Sequence, residues 1–148
     1  MNTNLMVAMA VTVIAIVGCV PGPKSEKGFR LPDGDAKKGK ATFVALKCHA
    51  CHRVEGVELP AFDSKAPAVV KLGGEVSHIK TYGELVTSII NPSHQLAKDY
   101  SGELVSRDGK SLMTNFNDTM TVTQMIDLVA FLQTHYQVVQ PESDHGRF

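Results

Sequence analysis

The sequence predicts an all-α domain, and three observations predict it. Two four-residue patterns, Thr81-Tyr82-Gly83-Glu84 and Thr121-Val122-Thr123-Gln124, each place a threonine three residues before a Glu or Gln and each open an apolar run. In such a pattern the threonine hydroxyl takes a backbone N–H of the first turn while the Glu or Gln reaches back, which marks a helix start. A further helix over 36–46 has a cap available in Asp33 or Asp35. No stretch of comparable length alternates apolar and polar residues, so no strand pattern competes.

Taken in order, the chain begins with an apolar run from Leu5 to Val17, thirteen residues whose only hydroxyl is Thr12. That length suits the apolar region of an export signal and is short for a membrane span. It leads into Ile16-Val17-Gly18-Cys19, which resembles a bacterial lipobox, where a small residue precedes a cysteine that is lipidated and becomes the mature N-terminus. The n-region Met1 to Asn4 lacks Lys and Arg, and an uncleaved N-terminal anchor is the alternative. Residues 1–18 are therefore assigned as signal peptide, 19–32 as a Pro- and Gly-containing tether, 33–138 as the folded domain and 139–148 as a tail. Within the domain the first helix carries Gly39 and Phe43 on one face, four residues apart. A glycine inside a helix costs about 1 kcal/mol against alanine, so a close helix crossing is expected there. Residues 54–74 read as loop, with Pro60, Pro67, Gly73 and Gly74. The second helix runs from the Thr81 cap to a stop at Asn91-Pro92. Residues 95–110 read as a further loop, with Gly102 and Gly109. The last helix is expected to reach about Gln137, with Met125, Leu128, Val129 and Leu132 as its apolar stripe and Tyr136 extending it.

Residues 48 to 52 read Cys48-His49-Ala50-Cys51-His52, the C-x-x-C-H attachment sequence of c-type haem. Two thiols at this spacing add to the two vinyl groups of one porphyrin, and the adjacent His52 becomes an axial ligand of the iron. His49 lies inside the motif, where side chains usually face outward. A structural zinc site needs four ligands, and the four histidines outside the motif (His78, His94, His135, His145) show no paired zinc spacing. A thioredoxin-like motif sits near a βαβ pattern, which is absent from this reading. The cysteine count closes: Cys19 takes lipid, Cys48 and Cys51 take haem, and no thiol is left over in an oxidising compartment. The cofactor expected is one covalent haem c.

The iron opposite His52 needs a sixth ligand or stays open. Of three methionines after the leader, Met125 belongs to the helix stripe, and Met120 directly precedes the Thr121 cap, where an apolar residue packs as a staple. Met113 lies in the polar segment Lys110-Ser111-Leu112-Met113-Thr114-Asn115-Phe116, where no amphipathic period accounts for it. Met113 is the candidate distal ligand and Met120 the alternative. A methionine there raises the potential relative to two histidines.

The order of these features resembles class I monohaem cytochrome c, over roughly residues 33–138. The resemblance rests on the Gly39/Phe43 helix, the C-x-x-C-H motif, a proline loop, a helix ending at Asn91-Pro92, the Met113 loop and a final helix. It implies three main helices wrapped around one haem, with Gly39 and Phe43 meeting the last helix near Leu128, Phe131 and Leu132. It also implies that the carbonyl of Pro67, in Ala66-Pro67, orients His52 through its Nδ1, with Pro60 the alternative. One departure is that Thr114, not proline, follows Met113.

The functional expectation is a one-electron carrier of a bacterial respiratory or dehydrogenase chain, not an enzyme in itself. The competing class is a haem enzyme or gas sensor with an open distal site, peroxidase-like or c′-like. The formal net charge is zero, so nothing points to nucleic acid. Lys37, Lys38, Lys40, Lys47 and Arg53 surround the motif in sequence and form either a docking ring for an acidic redox partner or a solvated face. A lipid on Cys19 would hold the protein at the periplasmic or outer face of a membrane, with membrane-bound donor and acceptor. A free carrier and a fixed subunit of a larger complex fit equally.

Overall fold

The computed structural model describes residues 31–63, 66–77 and 81–139. The signal segment, Cys19 and all of the tether before Leu31 lie outside them, as does the tail after Val139.

Helix α1 spans Ala36–Ala45. Of the two candidate caps, Asp35 does the work: its carboxylate accepts the N–H groups of Lys37 and Lys38 at 2.9 and 3.1 Å. Its own N–H donates to the buried carboxylate of Asp127 at 2.8 Å, which ties the start of α1 to the last helix. Lys47, in the left-handed region at φ 57°, turns the chain out of α1 into a 3-10 turn over Cys48–Ala50. Helix α2, Tyr82–Ile90, begins with both halves of its capping box made, Thr81 N–H to Glu84 at 2.8 Å and Glu84 N–H to Thr81 at 3.2 Å. A single-turn helix α3 spans Gly102–Val105. Helix α4, Val122–Gln133, starts with the same reciprocal pair between Thr121 and Gln124, at 2.9 and 3.2 Å.

The purely α expectation needs correction in detail. Strands β1 (His52–Val54) and β2 (Val70–Leu72) pair in parallel, as do β3 (Gly74–Val76) and β6 (Tyr136–Val138). Strands β4 (Ser106–Arg107) and β5 (Lys110–Ser111) form an antiparallel hairpin. Its turn, Asp108-Gly109, has φ of 51° and 74° at the two positions, the left-handed pair that favours Asp-Gly in tight hairpins. The last helix is also shorter than expected. It ends at Gln133, Thr134 back-bonds to the Phe131 carbonyl at 2.7 Å, and the His135 carbonyl accepts from Gly74 at 2.8 Å. Tyr136 therefore leaves the helix and enters β6.

The core sits where α1 crosses α4. An added Cβ on Gly39 would lie 2.6 Å from the Asp127 carbonyl carbon and 2.7 Å from Phe131 Cβ, so only glycine lets the backbones approach this closely. Phe43 meets Phe131 edge-on at 5.8 Å and 63°, a favoured aromatic geometry. Leu128, Val129 and Leu132 join them, with Leu85 and Ile89 from α2. Gly39 and Phe43 thus meet the residues of α4 that the resemblance implied. Met125 is half-buried and lies outside the core cluster, while Ile126 and Asp127 take buried places instead.

Asp127 was not foreseen as structural. Asp127→Ala is expected to leave the Asp35 N–H without its acceptor and to cost about 1.5–3 kcal/mol. Asp127→Asn, which keeps an acceptor oxygen, should cost less. Guanidinium unfolding of the haem-loaded protein measures both.

Candidate functional site

The chain enters the site directly from α1. Lys47 reverses the backbone, the Cys51 N–H donates to the Cys48 carbonyl at 3.1 Å, and the motif closes as one tight turn. The two thiols are free; Cys48 is half-buried against the core and Cys51 is exposed. Burial pushes the Cys48 thiol up to about 11, so it is protonated at neutral pH until it is bonded. His49 does not face outward as expected. It is 7% exposed and stacks edge-on under Phe62 at 5.2 Å, because the loop after β1 folds back over the motif.

His52 opens β1, and its register partner across the parallel pair is Val70. The Val70 N–H donates to the Cys51 carbonyl at 2.8 Å, so β2 holds the motif from one side. The imidazole looks into a cavity of about 550 Å³, within the roughly 300–1,000 Å³ of cofactor sites. Cys51, Pro67 and Met113 line the same cavity, and its walls include Leu85, Ile89 and Leu132 from the core helices. Met120 is elsewhere: it packs against the hydrophobic core, as a staple before α4 should.

Burial lowers the His52 pKa from its ordinary value, opposed by the Val70 backbone. The ring is thus held neutral, the form that can ligate a metal. Its Nδ1 is buried and makes no hydrogen bond, so the Pro67 carbonyl is not its partner in this arrangement.

The stretch 95–110, read as a loop, supplies a wall of the cavity through Leu96, Leu104 and Val105. His94 and Tyr136 also line it; from the sequence His94 reads only as a candidate zinc ligand and Tyr136 only as an extension of the last helix's stripe. For His94 the available signal was its place just after the Asn91-Pro92 helix stop. For Tyr136 the expected helix was the obstacle, and burial there pushes the hydroxyl above the usual tyrosine range. Among the described residues no group of three or more His, Cys, Asp and Glu side chains is placed to hold a metal ion; His78 and His145 lie outside them.

These residues fit a covalently held haem. A large cavity carries a neutral, hydrogen-bond-free imidazole in its wall, one motif thiol beside it, apolar helix faces behind it and a thioether in the same lining. When bound, haem supplies a one-electron iron couple; the chain supplies the two thiols, the adjacent His52 and an apolar wall. A family model for cytochrome c matches residues 36–135. No curated protein and no solved structure matches the chain in the corresponding comparisons. The matched span runs from the first residue of α1 to just past the end of α4 and takes in the cavity-lining residues apart from Tyr136, which opens β6. The chain belongs to the cytochrome c family and carries covalently bound haem c, with Cys48 and Cys51 in the attachment spacing next to His52.

Proposed function

We propose that this protein is a class I, single-haem electron carrier with His52 and Met113 as axial ligands. The observation that carries the reading is that these two side chains, 61 positions apart in sequence, line one cavity, whereas Met120 packs into the core. A six-coordinate iron changes its ligand set little between ferric and ferrous states, which suits electron transfer and leaves no open position for substrate. With haem bound, the Nδ1 hydrogen of His52, which has no partner in the structure, would turn to a backbone carbonyl of the 67–70 segment and so orient the ring.

The protein is further proposed to be exported and held by lipid on Cys19 at the periplasmic or outer face of a bacterial membrane. Its donor and acceptor would be membrane-bound redox proteins of a respiratory or dehydrogenase chain. Lys37, Lys38, Lys40, Lys47 and Arg53 are all exposed, which supports a basic docking face for an acidic partner.

The test is made on the wild-type protein isolated from membranes. A single one-electron wave in potentiometry and no carbon monoxide uptake by the ferrous form are expected. Rapid carbon monoxide uptake would sink the closed-site reading in favour of a haem enzyme or gas sensor. Intact mass should show one haem on the chain and an acylated Cys19 at its start.

A further inference from the structure

The Met113 segment lacks the proline that would stiffen it, since Thr114 follows the methionine. Its flanks are nonetheless pinned, and both pins end on the same turn. On one side the Ser111 N–H donates to Ser93 Oγ at 3.1 Å, and Ser111 Oγ in turn accepts the Met113 N–H at 3.1 Å. On the other side Asn117 Nδ2 donates to the Ile90 carbonyl at 2.9 Å, with the Asn117 N–H held by Asn115 Oδ1 at 2.8 Å. Ile90 is the last residue of α2 and Ser93 lies three positions beyond it. The helix is anchored in turn by buried Leu85 and Ile89, which also line the cavity.

The frame that locates Met113 is therefore the C-terminal end of α2, not the loop's own stiffness. We infer that Ser93 and Asn117 are positioning residues. They clasp the Met113 loop from both sides, hold its thioether over the iron, and set how easily an outside ligand displaces it. Neither touches the haem; each acts through Met113. The inference rests on Met113 being the distal ligand.

Each clasp is one side-chain hydrogen bond, which corresponds to a change of about threefold to tenfold in the loop-opening equilibrium. The probe is imidazole, titrated optically against the ferric, haem-loaded protein. Ser93→Ala and Asn117→Ala are each expected to bind imidazole about threefold to tenfold more tightly than wild type, and the double variant about tenfold to a hundredfold. All three should keep the far-red charge-transfer band of methionine ligation when no imidazole is present. Ser93→Thr keeps a hydroxyl and should stay near wild type. A purely structural role, such as Asn117 capping α2, would lower the unfolding midpoint and leave imidazole affinity unchanged, and that result overturns the inference. Met113→Ala separates the two levels. If it loses the band while the clasp variants bind imidazole like wild type, the ligand stands and the clasp is wrong. If it keeps the band, the ligand assignment fails and the clasp falls with it.

Discussion

Met113→Ala is expected to abolish the far-red band, to open the ferrous iron to carbon monoxide, and to lower the reduction potential by on the order of 0.1 V or more. Axial ligands set haem potentials over a range of roughly 0.8 V, and a thioether favours the ferrous state over water or a second histidine. The fold should survive, because Met113 is half-buried and lies outside the core cluster. His94 lines the same cavity and carries an imidazole that could take the vacated position. Either replacement, water or imidazole, removes the methionine signature. The control is Met120→Ala. Met120 packs against the core, so its truncation should cost about 2–3 kcal/mol of stability and leave band and potential intact. If the effects were reversed between the two variants, the assignment of the distal ligand would pass to Met120.

Which parts of this molecule could be read from the chain follows from the range over which each is encoded. Both capping boxes are four-residue patterns, and both formed with both of their hydrogen bonds. The haem motif is five contiguous residues, and Gly39 announced a close crossing because glycine is otherwise costly inside a helix. The three-residue parallel pairs were out of reach: His52–Val54 and Val70–Leu72 are too short to show a period, and their pairing is decided by tertiary placement. His49 is buried by Phe62, thirteen positions away, which nothing local to the motif could signal. The end of α4 was overrun because Tyr136 continues the stripe of Leu128 and Leu132 at four-residue spacing, and the competing claim came from β3. The Asp108-Gly109 turn is the opposite case, a local hairpin signal present in the sequence and read only as loop.

Gly39→Ala should be the most destabilising small substitution in the domain. Alanine normally gains about 1 kcal/mol over glycine inside a helix. Here the new Cβ would meet the Asp127 carbonyl carbon at 2.6 Å and Phe131 Cβ at 2.7 Å. The first is backbone and the second is fixed to it, so neither rotates away and α1 must lift off α4. Overpacking of this kind costs roughly 1–3 kcal/mol, and the top of that range applies where backbone must move. The lift also stretches the Phe43–Phe131 contact, worth roughly 0.5–1.5 kcal/mol, and the Asp35–Asp127 hydrogen bond. A net loss of about 3 kcal/mol is expected, or a drop on the order of 10–20 °C in Tm for a domain of this size. Gly83→Ala is the matched control. Gly83 lies in the first turn of α2 with nothing within 4 Å of an added Cβ, so the same chemical change should stabilise by up to about 1 kcal/mol. Thermal unfolding of the two haem-loaded variants against wild type decides the matter. A Gly39→Ala variant as stable as wild type or more so would mean that the helix crossing does not require glycine. Because α1 runs straight into Cys48 and α4 supplies Leu132 to the cavity wall, opposite shifts would tie the haem pocket's integrity to one missing methyl group.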